Sequence, residues 1–335
     1  MSAAGDRFAE FWDTKGYVVA DGAMGTQLFA MGLTSGDAPE RSNLLAPGRI
    51  RDVHRGHLRA GADLVLTNSF GGNGLRLRLH NLDGRVLELN EAAARIAREA
   101  TEAEQRRDAR TMLVAGSMGP TGELLEPLGS LTVADCEQAF ATQAEGLAQG
   151  GADLLWLETL SDLGEVEAAV RGARRACDLP VAVTLSFDTA GRTMMGAGGA
   201  EAAERLGDLE LAALGANCGN NIADTESAAL EIRAALGDLP VISKPNAGIP
   251  YWGGNTFHYT GTPEILAAHA HRARQGGVQI IGGCCGSTPA HIAKIAAVLA
   301  GDQPVPEIMY PTGDEGSAAL TDAAPDRDRS RRRQR

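Results

Sequence analysis

Eight apolar runs of strand length alternate with stretches of helix length in this chain of 335 residues, which predicts an α/β fold: a single-domain (β/α)8 TIM barrel. Three observations carry that prediction. The runs are apolar on both faces, as in parallel strands covered by helices. Eight such units fit into about 300 residues, a size that suits one closed barrel. An open doubly wound sheet would carry a Gly-x-Gly-x-x-Gly turn, and Gly71-Gly72-Asn73-Gly74 lacks that spacing.

In chain order, the strands are expected at Tyr17–Ala20, Ala62–Thr67, Met112–Ala115 and Asp153–Leu157. Val181–Ser186, Leu211–Ala216, Pro240–Ser243 and Val278–Ile281 complete the eight. Between and after them, amphipathic patterning expects helices at Arg49–Ala60, Val86–Arg106, Val133–Gln149 and Leu163–Ala176. Four more are expected at Glu201–Leu206, Asp224–Leu236, Pro263–Gln275 and Pro289–Leu299. Local start signals support several of these. Thr132 with Asp135 has the spacing of a capping box, and Thr262-Pro263 and Thr288-Pro289 each set a cap residue before a first-turn proline.

The barrel domain is expected over residues 1–310. The segment 311–335 turns Ala/Asp-rich, ends in Arg331-Arg332-Arg333, and is read as a disordered basic tail. Such a tail can touch an anionic surface or simply stay solvated.

Composition bounds the partners. A net charge of −12 argues against nucleic acid, which needs a basic face. No run approaches the roughly 20 apolar residues of a membrane span, so no membrane partner is expected. The polar N-terminus and the odd cysteine count of five suit a reducing compartment, and the expected location is cytoplasmic. A homo-oligomer is left open.

Three of the five cysteines sit beside glycine at the ends of expected strands: Cys218 in Asn217-Cys218-Gly219, and Cys284 and Cys285 in Gly282-Gly283-Cys284-Cys285-Gly286. Strand ends are where a barrel builds its active site, and three thiolates make a first shell for zinc, Zn²⁺, with a fourth position open. A metal-held substrate thiol would be deprotonated near neutral pH. The alternative is a set of buried structural cysteines. Cys136 and Cys177 fall in or beside helices and are expected to be inert.

Around these cysteines the sequence resembles the homocysteine S-methyltransferase family. Its members include betaine–homocysteine methyltransferases and the homocysteine-binding module of cobalamin-dependent methionine synthases. The resemblance rests on Asp21-Gly22-Ala23-Met24-Gly25-Thr26, Thr67-Asn68-Ser69-Phe70, Gly119-Pro120-Thr121-Gly122 and Glu158-Thr159, with Gly215-Ala216-Asn217-Cys218-Gly219, Pro245-Asn246-Ala247-Gly248 and the Cys284-Cys285 motif. It implies a (β/α)8 barrel with zinc on Cys218, Cys284 and Cys285 and the homocysteine sulfur as fourth ligand. It also implies that Asp21, Gly22, Ala23 and Thr26 help hold homocysteine, that Glu158 accepts its ammonium group, and that Asn68 and Phe70 line the site. Asn217 could orient a ligand, and Asn246 could reach zinc or substrate or serve as a turn former.

For the methyl donor, the loop after the seventh strand gathers Tyr251, Trp252, Phe257 and Tyr259 in a chain with 4% aromatics. Aromatic faces recognise quaternary ammonium groups, so Tyr251 and Trp252 are candidates for a betaine cage. The same loop could instead pack as a lid or an oligomer contact. The expected reaction is transfer of a methyl group from an onium donor, glycine betaine foremost, to homocysteine, giving methionine. S-methylmethionine or a corrinoid partner protein is the alternative donor. A non-catalytic zinc and thiol amino-acid binding protein is the alternative of another class.

Overall fold

The computed structural model describes residues 10–308, except 35, 189, 254 and 255. The expected tail, 311–335, lies outside the described residues. Strands are numbered in chain order: β1 (Val18–Val19), β2 (Leu64–Leu66), β3 (Leu113–Met118), β4 (Leu154–Leu160), β5 (Val181–Leu185), β6 (Ala213–Cys218), β7 (Val241–Pro245), β8 (Pro250–Gly253), β9 (Thr256–Tyr259) and β10 (Ile280–Ile281).

Eight of these form one parallel sheet in the order β1-β10-β7-β6-β5-β4-β3-β2. The two ends meet. Ala20 bridges Leu64 in parallel, and the Asp63 N–H donates to the Val19 carbonyl at 2.7 Å. The sheet is therefore a closed barrel with every strand pointing its C-terminal end the same way, as the sequence predicts. The remaining pair, β8 and β9, is an antiparallel hairpin in the loop after β7.

Period-two alternation sorts the strand residues. Val18, Leu64, Leu66, Leu113, Ala115, Leu154, Trp156, Ala182, Ala213, Ile242 and Ile280 pack together as one buried cluster that fills the barrel interior. Their neighbours, among them Val65, Val114, Leu155, Val183, Leu214, Val241 and Ile281, join a second cluster with the surrounding helices. Those helices include Val86–Asp108, Val133–Gln149, Leu163–Ala176, Pro263–Gln275 and Pro289–Leu299. The expected caps form: Thr132 accepts the Asp135 N–H at 3.1 Å, and Thr288 makes a capping box with His291.

Trp156 closes the interior from above. It is fully buried, and its indole N–H donates to Thr184 Oγ1 at 3.0 Å, which satisfies the one polar atom it carries into the core. Above it the interior turns polar. Continuing the inward period, β3 presents Ser117, β4 presents Glu158, β6 presents Asn217 and β7 presents Lys244. Among the described residues no helix is long and apolar enough to cross a membrane.

Candidate active site

A cavity of about 340 Å³ opens at the C-terminal mouth of the barrel. Its wall includes the loop after β1 from Asp21 to Thr26, the turn after β2 from Thr67 to Gly71, Ser117, Glu158, Thr159, Cys218, Lys244 and the Gly283–Cys285 turn after β10. Active sites of barrel enzymes sit on this face.

Cys218, Cys284 and Cys285 come together there. Their sulfur atoms all lie within 4.8 Å of one another. All five cysteines of the chain are unpaired. Cys218 ends β6 with φ of 62°, a left-handed conformation that costs a non-glycine residue and marks a constrained position. Thr225 Oγ1 donates to its carbonyl at 3.0 Å. The Cys284 N–H donates to the Pro245 carbonyl at 2.8 Å, tying the last turn to β7. Asn246 joins the two cysteine segments. Its Nδ2 donates to the Gly219 carbonyl at 2.7 Å, and its Oδ1 accepts the Cys285 N–H at 3.0 Å. Asn217 bridges in another direction: Oδ1 accepts the Thr159 N–H at 2.9 Å, while Nδ2 donates to Thr159 Oγ1 at 2.8 Å and to Cys284 Sγ at 3.7 Å.

Crowded thiols cannot all ionise alone. Hydrogen bonds from Cys218 and Cys285 hold the Cys284 thiol below its ordinary value, helped by Lys244 and Asn217. The same hydrogen bonds, burial and neighbouring negative charge push Cys218 up. A divalent cation held by the three cysteines would remove this conflict by favouring the thiolate of each. The donor set fits a soft or borderline metal such as zinc: three convergent sulfurs lining a cavity.

Beneath the sulfurs lies a charged floor. Lys244 Nζ sits 2.7 Å from Asp21 Oδ1 and 5.4 Å from the Trp156 ring centroid. Asp21 Oδ2 accepts the Leu66 N–H at 2.8 Å. Glu158 Oε1 accepts the Ser117 hydroxyl. Burial raises the Glu158 carboxyl to about 7, against the lowering pull of Lys244. At neutral pH this group is poised between acid and carboxylate. It suits the capture of a cation that can donate a hydrogen bond.

The other sequence candidates take varied places. Gly22 packs so closely that a Cβ would lie 2.8 Å from both His57 and Ser287 Oγ, so only glycine passes there. The Ala23 N–H donates to Ser287 Oγ at 3.2 Å, and Thr26 Oγ1 accepts the Gly286 N–H at 3.3 Å. Both contacts hold the first loop to the cysteine turn. Asn68 lines the cavity, but its amide donates to Pro39 and Asn43, clamping two loops together. Phe70 lines the wall with its ring against Gly119. Asn217 and Asn246 act from behind the cysteines rather than from the wall. Tyr251 stacks on His258 across the hairpin at 5.4 Å and is 44% exposed, away from the cavity wall. The side chains of Trp252 and Phe257 lie outside the described residues. Tyr259, at the hairpin's end, packs its ring on Gly286, and burial together with the neighbouring Cys285 pushes its phenol up.

Sequence reasoning missed Lys244, Ser117, Glu40 and Arg76, all on the cavity wall. The alternation that finds Glu158 also finds Lys244: Ile242 points inward, so Lys244 does too, and a charge at the end of an apolar strand needs a partner. Glu40 lies in the three-residue 3-10 turn Pro39–Arg41 and Arg76 in the five-residue helix Gly74–Arg78, both too short to show a period.

Known proteins resemble this chain over most of its length. The model of the homocysteine S-methyltransferase family matches residues 18–299. Methionine synthase of Mycobacterium tuberculosis is 35% identical over 306 residues, 88% of this chain and 25% of its own length. That of Mycobacterium leprae is 35% identical over 299 residues, 84% of this chain and 24% of its own length. The chain thus spans about a quarter of the length of these curated relatives. Among solved structures, the metallated form of the homocysteine methyltransferase MmuM from Escherichia coli superimposes with a TM-score of 0.75 at 27% identity, covering 87% of this chain and 99% of that one.

Proposed function

We propose a specific reaction for this chain, which belongs to the homocysteine S-methyltransferase family: transfer of a methyl group from a small onium donor, glycine betaine foremost, to homocysteine. The observation that carries it is the convergence of Cys218, Cys284 and Cys285 on a cavity whose floor holds Glu158, Asp21 and Lys244. A zinc ion held by the three cysteines would supply the Lewis acidity that keeps a substrate thiol deprotonated at neutral pH.

The chain's own residues then have separable tasks. Glu158 accepts the ammonium group of homocysteine, and Ser117 fixes the orientation of its carboxyl. Lys244 and Asp21 neutralise each other beneath the substrate, which leaves Glu158 as the floor group free to meet the ammonium. The close-packed Gly22 turn sets how deeply an amino-acid carboxylate can enter. The thiolate sulfur forms a bond to the methyl carbon as the bond from that carbon to nitrogen breaks, and the electron pair leaves with the nitrogen. Negative sulfur and positive nitrogen both become neutral. A cavity that excludes water favours such a loss of charge. No general base is needed in this step, because the thiol proton has already left.

The proposed setting is the cytoplasm, where five unpaired cysteines stay reduced. The test is methionine formation by the zinc-loaded protein from homocysteine with betaine, and in parallel with S-methylmethionine. Methionine and demethylated donor should appear in equal amounts and vanish in Cys284→Ala. Binding of homocysteine without product from either donor would refute this reading.

A further inference from the structure

One wall of the cavity carries charges that the homocysteine site does not use. Glu40 lies in the 3-10 turn Pro39–Arg41, only 4% exposed, with its carboxylate on the cavity wall. Oε1 accepts the Gly71 N–H at 2.7 Å. A Cβ on Gly71 would lie 3.0 Å from that oxygen, so glycine lets the carboxylate sit against the backbone. Among the described residues, no basic side chain forms an ion pair with Glu40. Burial pushes this carboxyl above its ordinary value, against the lowering pull of its backbone hydrogen bonds and of the nearby His80 and Arg76.

Two neighbours share the wall. Phe70 is 39% exposed and lines the cavity next to Gly71. Arg76 also lines it, half-buried, in the first turn of the helix Gly74–Arg78 capped by Asn73. The missing side chain of Gly122 leaves room for its guanidinium, since a Cβ there would lie 2.9 Å from Nη1. Among the described residues, that guanidinium makes no ion pair.

A methylated onium group has no N–H to donate. It is recognised by diffuse negative charge and an aromatic face, which Glu40 and Phe70 supply together. A carboxylate is recognised by a guanidinium, which Arg76 supplies. We propose that Glu40, Phe70 and Arg76 form the methyl-donor subsite, and that this subsite selects a small zwitterion bearing both a methyl onium cation and a carboxylate. Glycine betaine and S-methylmethionine share that chemistry. The proposal rests on the methyltransferase reading only for calling the ligand a donor.

Calorimetric titration of the zinc-loaded full chain tests it without turnover, using betaine, S-methylmethionine, choline (an onium without a carboxylate) and homocysteine. At least one zwitterion should bind the wild type. Glu40→Gln should weaken it by about tenfold or more while homocysteine affinity changes by less than about twofold. Arg76→Gln should weaken the zwitterion and leave choline unchanged. Gly71→Ala, which crowds the carboxylate, should weaken onium binding as well and serves if Glu40→Gln does not fold. Unchanged zwitterion affinity in Glu40→Gln overturns the subsite, as does a wild type that binds homocysteine but neither zwitterion. Glu40-dependent binding without methionine formation would refute the proposed reaction and leave the subsite standing. Methionine formation from betaine that Glu40→Gln does not slow would do the reverse.

Discussion

Lys244 and Asp21 form an ion pair of 2.7 Å across the barrel mouth, with side chains 4% and 3% exposed. The pair joins the end of β7 to the loop after β1, next to the strands that close the barrel. Removing one partner of a buried pair leaves an uncompensated charge, at a cost of about 3–5 kcal/mol. Lys244→Met should therefore destabilise the protein by that amount in urea denaturation. The double variant Lys244→Met with Asp21→Leu should recover a large part of it. A single variant as stable as the wild type would show that the pair does not hold the mouth together.

Glu158 gives the protein a pH signature. Burial raises its carboxyl from 4.5 to about 7 in the folded chain. The folded state thus binds a proton that the unfolded state has already released. The stability this provides is fully present below the ordinary carboxyl value and is lost as pH rises through about 7. Glu40, Asp63 and Glu165 shift in the same direction, so the difference between wild type and Glu158→Gln isolates this residue. For metal-free protein, that difference should shrink steadily across the interval. A constant difference would mean that Glu158 titrates normally.

Asn246 should matter to the metal more than to the fold. Its amide bridges the Gly219 carbonyl and the Cys285 N–H, holding two cysteine segments in register. Loss of such a supporting contact typically lowers metal affinity by about 10- to 100-fold. Asn246→Ala should show that loss in competition with a chromophoric chelator while its circular dichroism stays native. Unchanged zinc affinity would reduce Asn246 to a turn former.

The places where patterning stopped short are the places where the site begins. Every expected strand falls on a barrel strand, and the helices at Val133–Gln149, Leu163–Ala176, Pro263–Gln275 and Pro289–Leu299 keep their expected limits. But β3, β4, β6 and β7 run two or three residues beyond the apolar segments, to Met118, Leu160, Cys218 and Pro245. Those extra turns of the strand carry Ser117, Glu158, Asn217 and Lys244. Inward polar residues look like loop to a reading based on hydrophobicity, yet they stay on the sheet because their partners lie across the barrel. Cys218, Cys284 and Cys285 were legible because cysteine beside glycine at a strand end is unusual. The wall made by Glu40 and Arg76 was not, since residues 40 and 76 approach only once the loops after β1 and β2 are folded. The cluster of aromatics after β7 was legible as a composition but not as a hairpin, and Tyr251 turns to His258 across that hairpin instead of to the cavity.

A cysteine site that holds a substrate thiol as its thiolate must ionise that thiol when it binds. Binding must then release the thiol proton, and calorimetry of homocysteine binding in buffers of different ionisation enthalpy counts it. Methionine, which has the same ammonium and carboxylate but no thiol, corrects for any proton lost from Glu158. With zinc-loaded protein near neutral pH, homocysteine should release about one proton more than methionine, and Cys284→Ala should abolish the excess. Equal proton release by the two ligands, or an excess that survives in Cys284→Ala, would show that the cysteine site does not hold the thiol as its thiolate.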